Sequence, residues 1–204
     1  MQLHPIVQQS FAIIDREFGD HHFSAAEYRV VQRIIHSTGD FEFKHLTHFS
    51  QFAISQAIAA LSSGTPIVTD VSMVAQGIRT MVQATFKNPI INAIAGVQTP
   101  LPGRTRSETG ILQTYGQYPD AVYAIGNAPT ALLSLCHQLQ SASGGLPAVV
   151  IGAPVGFVSV LESKQCLAQT PVEQIRIEGR KGGSAVAAAV INALLHLAWN
   201  EQSR

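Results

Sequence analysis

Three stretches of the chain repeat one pattern. A short apolar run leads into a glycine-bearing loop, and a segment of helical periodicity follows. Residues 121–125 precede GNAPTALLSL, residues 148–151 precede GAPVGFVSVLESK, and residues 175–178 lead through GRKGGS into AVAAAVINALL. Apolar runs this short suit strands covered on both faces. In the first unit, Gly126 and Asn127 are expected to take the unusual φ values of a sharp turn. Pro129 suits the first turn of a helix, where a missing N–H costs nothing. Such a unit leaves free backbone N–H groups at the carboxyl end of a strand, where open α/β sheets bind ligands. Two further strands are expected at 66–69 and 90–95. The pattern therefore predicts an α/β fold with a mainly parallel five-stranded sheet and helices on both faces.

Helices frame these strands. His4-Pro5 opens one that carries Ile6, Phe11, Ile13 and Ile14 on its apolar side and also holds Ser10; Gly19-Asp20 ends it. Ser24 and Glu27 form a capping box for a second helix, striped by Tyr28, Val31, Ile34 and Ile35 and stopped by Gly39. A third is expected over 49–62 and a short one over 73–76. The last, over 184–199, is apolar nearly all round, so it is either deeply buried or at a subunit contact. No repeat, linker or boundary interrupts the order, which points to a single domain over 1–204.

Composition narrows the class. In 204 residues, 46% are hydrophobic and only 13% charged, enough for a substantial core and low enough to expect surface covered by a partner copy. The formal net charge is zero, which gives no sign of nucleic acid or an anionic membrane as partner. The first nine residues are polar and contain Pro5, unlike a signal peptide. No apolar run reaches the ~20 residues of a membrane span. Cys136 and Cys166, in separate predicted helices, read as free thiols, so a cytoplasmic location is expected.

Motif chemistry is mostly defined by exclusion. No GxGxxG follows a strand, GRKGGS lacks the Walker spacing, and HExxH, paired CxxC and GxSxG are absent. His21, His22, His45 and His48 have no matching carboxylate set, so no metal site is expected. Arg33 and His36 fall three apart on one helical face. There His36 either complements the negative end of the helix dipole or serves a ligand. Arg104 and Arg106 flank the next helix start, a placement that grips carboxylates or phosphates as readily as it leaves two solvated arginines. One placed histidine, several arginines and a glycine rim suit a carboxylate-rich ligand with one proton donor or acceptor.

SFAII, RIIH followed by STGD, IVTDVSM, TRS, AIGNAPTALLSL, VIGAPVGFVSVLESK and GRKGGSAVAAAVINALL occur in that order over almost the whole chain. In these blocks the sequence resembles the precorrin-8X methylmutases, including the cobalt-precorrin-8 methylmutases, of corrin biosynthesis. The resemblance implies a three-layer α/β sandwich, a homodimer and an isomerase. Such enzymes move a methyl group from C11 to C12 of precorrin-8X or cobalt-precorrin-8, giving hydrogenobyrinate or cob(II)yrinate, and need no cofactor or enzyme-bound metal. It implies that His36 protonates or hydrogen-bonds the ring, and that Ser10, Arg33 and Arg106 contact the substrate. GRKGGSAVAAAVINALL looks closer to members that act after cobalt insertion. Two alternatives use the same rim: a non-catalytic corrinoid carrier, which would not need His36, and an enzyme binding a nucleotide or sugar phosphate in GRKGGS.

Overall fold

The computed structural model describes residues 4–141 and 145–202. In chain order the elements are α1 (Pro5–Phe18), α2 (Ala25–Thr38), α3 (Phe43–Leu46), β1 (Thr47–Phe49), α4 (Ala53–Ser62), β2 (Ile67–Thr69), α5 (Ser72–Ala84) and β3 (Ile90–Asn92). They continue with α6 (Arg106–Gln117), β4 (Val122–Ile125), α7 (Pro129–Ser141), β5 (Val149–Gly152), α8 (Val160–Gln169), β6 (Gln174–Ile177) and α9 (Ser184–Gln202).

The strands form one six-stranded sheet in the order β1-β6-β5-β4-β2-β3. Every pairing is parallel except β1 with β6, where Thr47 faces Ile177 and Phe49 faces Ile175. Two cores sandwich the sheet. Val68, Tyr123, Ile125 and Val150 face Leu132, Leu135, Ile111 and Leu167 of α6, α7 and α8. Ile67, Ala124, Val149, Ile151 and Ile175 face the side built on α4, α5 and α9, with α2 packed against α9. Two-sided burial explains why the parallel strands read as unbroken apolar runs.

The three-layer expectation holds, with corrections. The sheet has six strands rather than five, because β1 lies at 47–49, where the helix expected over 49–62 was to begin; that helix starts at Ala53. Three residues are too few to show a period of two, and THF is a strand only because β6 pairs with it. The helix expected over 73–76 runs instead from Ser72 to Ala84, and the strand expected to reach 95 ends at Asn92. The last helix is resolved in favour of burial, with Val186, Val190, Leu194 and Leu195 in the chain's own core. It approaches α5 closely, since a β-carbon at Gly77 would sit 2.8 Å from that of Ala188. Cys136 is buried and Cys166 half-buried, and both are free thiols. No helix among the described residues is long and apolar enough to cross a membrane.

Candidate active site

His36 sits in the last turn of α2. The Ser24–Glu27 capping box fixes the start of that helix, and Gly39, at φ 67°, ends it by donating its N–H to the Ile35 carbonyl. Helix α1 is anchored beside it: the Tyr28 hydroxyl and the Gln32 amide both donate to Asp15. That packing brings the Ser10 hydroxyl to 2.8 Å from His36 Nδ1. The Phe11 ring meets the imidazole edge-on, with centroids 5.2 Å apart. The imidazole is therefore held by two residues of α1, and Nε2 is the nitrogen left for a ligand. Burial, then the positive charge of Arg33, lowers the His36 pKa below its ordinary value.

Arg33 stands one turn earlier, half-buried, and its own pKa is lowered by that burial. It borders a groove of about 490 Å³ between α2 and α9, lined also by Phe11, Arg29, Ala193 and Leu197; Ser10 and His36 do not line it. Arg106 is placed elsewhere. It opens α6, beyond edge strand β3, is exposed, and donates from Nη2 to the Ile94 carbonyl at 3.0 Å. Ser10, Arg33 and His36 thus gather on α1 and α2, while Arg106 belongs to the other side of the sheet. Its neighbour Arg104 is turned toward Ser134 and Glu108, at 3.4 and 4.0 Å.

The glycine rim differs from its sequence-based reading. The N–H groups of Gly126, Asn127 and Ala128 are not free for a ligand. All three donate to the carboxylate of Asp70, at 3.0, 2.8 and 2.8 Å. Burial pushes the Asp70 pKa up, and the three amides oppose that by favouring the charged form. Neither Gly126 nor Asn127 takes the positive φ expected of a sharp turn. Gly126 is required by space, because a β-carbon there would fall 2.8 Å from Val74 and 2.9 Å from Ala187 and from the Ser184 backbone.

Two lysines were missed from the sequence. Lys164 is buried and donates to the carbonyls of Gly179 and Lys181, both at 2.7 Å, fixing the GRKGG loop; burial pushes its pKa down to about 8. Its signal was present: Val160, Ser163, Lys164 and Leu167 share one helical face, which the fold turns inward. Lys181 reaches Asp40 and Glu42 at 2.5 and 2.8 Å, joining the same loop to the end of α2. Gly182 lets that loop lie against the end of β5, where a β-carbon would come 2.4 Å from the Ala153 carbonyl oxygen. His36 consequently lies at the carboxyl end of the sheet, four residues from the Asp40–Lys181 tie.

Comparison with known proteins bears on the family and the fold. The family model described as Precorrin-8X methylmutase matches residues 5–197. The cobalt-precorrin-8 methylmutase of Synechocystis sp. is 50% identical over 212 residues, covering 97% of each chain. The precorrin-8X methylmutase of Sinorhizobium sp. is 38% identical, covering 93% of this chain and 92% of that one. The crystal structure of precorrin-8X methylmutase from Thermus thermophilus superposes with a TM-score of 0.89 at 40% identity, covering 97% of this chain and 99% of that one. With its sheet, its helices and nearly its full length matched, the chain belongs to the precorrin-8X methylmutase family.

Proposed function

We propose that this chain, working as a single domain, is the isomerase that moves a methyl group from C11 to C12 of precorrin-8X or cobalt-precorrin-8 in corrin biosynthesis. The observation that carries a mechanism is the Ser10–His36 contact at 2.8 Å, on a chain of this family. The shift is intramolecular, so neither an acceptor nor an enzyme-bound metal has to be supplied; any cobalt arrives as part of the substrate. What the protein must provide is a pocket for a flat, carboxylate-bearing ring and a group that responds as its π-system reorganises. His36 fits that role through Nε2, because Ser10 occupies Nδ1. In the free protein, burial and Arg33 favour the neutral imidazole. A substrate bearing several carboxylates offsets the Arg33 charge and makes the protonated ring easier to form. Binding substrate and transition state equally would not accelerate the shift, so the contact to the ring nitrogen must strengthen as the methyl group moves.

The test is incubation of the protein with precorrin-8X and with cobalt-precorrin-8, followed by visible spectra. We expect conversion of at least one of them, with His36→Ala lowering turnover by ~10²–10⁴, the range for one acid–base group. A folded His36→Ala protein with unchanged turnover would remove His36 from the mechanism. Absence of conversion by the wild-type protein, with binding retained, would make the chain a carrier.

We further propose that the protein is a homodimer and works in the cytoplasm. The 13% charged fraction and the exposed Ile6 and Ile13, seven apart on α1, support a homodimer. The two free cysteines support a reducing, cytoplasmic setting.

A further inference from the structure

The loop between β5 and α8 is built to hold apolar side chains in solvent. Phe157 and Val158 are 85% and 81% exposed, the most exposed large apolar residues among those described, and Val155 and Leu161 flank them. Gly156 has φ 143°, and Ser159 is left-handed at φ 56°, a conformation few serines adopt. Soluble proteins seldom leave such a patch without a partner.

A cation completes it. The Arg180 guanidinium lies 5.8 Å from the centre of the Phe157 ring, and Arg180 forms no ion pair among the described residues. The Gly156 N–H donates to the Arg180 carbonyl at 3.4 Å, tying this loop to GRKGG. The next residue, Lys181, ties GRKGG to Asp40, four residues beyond His36. The aromatic ring, the guanidinium and the imidazole therefore stand on connected segments at one end of the sheet.

We propose that Phe157, Val158 and Arg180 form the platform on which one face of the corrinoid ring rests, Arg180 pairing with a peripheral carboxylate. This deepens the methylmutase reading and rests on it. A conjugated plane edged by carboxylates matches an aromatic face beside an unpaired cation. A second copy of this chain matches it less well, because a twofold contact through the patch would set Arg180 against its own copy.

Steady-state turnover and titration with the product acid test the platform in the full-length protein. Phe157→Ala should raise KM and product Kd about tenfold, the size of one lost stacking contact, with kcat within about twofold of wild type. Phe157→Tyr should restore binding. Arg180→Ala should weaken binding by about tenfold as well, and Arg180→Lys should recover only part, because the planar fork is lost. Wild-type KM and Kd in both alanine variants would overturn the platform while leaving the isomerase reading intact. A fall in solution mass with Phe157→Ala would show that a second copy covers the patch, which also overturns it. Failure of the wild-type protein to convert either substrate would instead remove the isomerase reading, and the platform with it.

Discussion

Ser10 and His36 are 26 residues apart, and their 2.8 Å contact gives the imidazole one free nitrogen and a fixed orientation. Its titration then has a defined sign. Burial and Arg33 lower the pKa in the folded protein, so the unfolded chain binds the proton more readily. Native stability is unaffected above the ordinary value of 6.5, falls as pH drops below it, and has lost its full increment below the folded pKa. The kinetic consequence is a split between two profiles. The inflexion in kcat/KM, which reports the free enzyme, should lie below 6.5. The inflexion in kcat should lie higher, because bound carboxylates offset Arg33. Both should vanish in His36→Asn, and Ser10→Ala should shift them without abolishing turnover. Coincident inflexions in the wild-type protein would detach His36 from the bound carboxylates.

Among the elements, the β4–α7 turn shows how a local pattern can be read correctly and its purpose misjudged. Strand, turn and helix lie where the apolar run, Gly126 and Pro129 put them. The turn's amides, however, are taken by Asp70, which is 56 residues from Gly126 and at the end of the neighbouring strand β2. No sequence pattern names that partner, because the parallel pairing of β2 with β4 creates it. Asp70→Asn should be costly, since an amide offers one acceptor oxygen and turns a donor toward N–H groups. We expect a loss of about 2–4 kcal/mol in urea unfolding, with m unchanged. A loss below about 0.5 kcal/mol would mean that the turn holds itself without the carboxylate.

For the whole molecule, α9 lies mostly in the chain's own core, and the exposed Ile6 and Ile13 of α1 are the apolar surface that supports a dimer. Light scattering at micromolar concentration should give about twice the 21.8 kDa chain mass, and a monomer there would end the proposal. Phe157→Ala should leave that mass unchanged, because Phe157 belongs to the ring platform and the dimer is assigned to Ile6 and Ile13 of α1. The amino-acid sequence by itself determined the fold class: two-sided burial writes parallel strands as apolar runs, and capping residues such as Ser24, Glu27 and Pro129 act within one turn of where they stand. It also placed His36, Arg33 and Ser10 on the first two helices. Tertiary structure decided what those local signals could not carry. It made 47–49 a strand, through pairing with β6, and brought the Ser10 hydroxyl onto the His36 ring. It also closed the Gly126 turn with Asp70 and turned Lys164 inward to hold GRKGG. Each of these is a contact between residues distant in sequence, and its energy exists only once the sheet and helices have brought the partners within hydrogen-bonding reach.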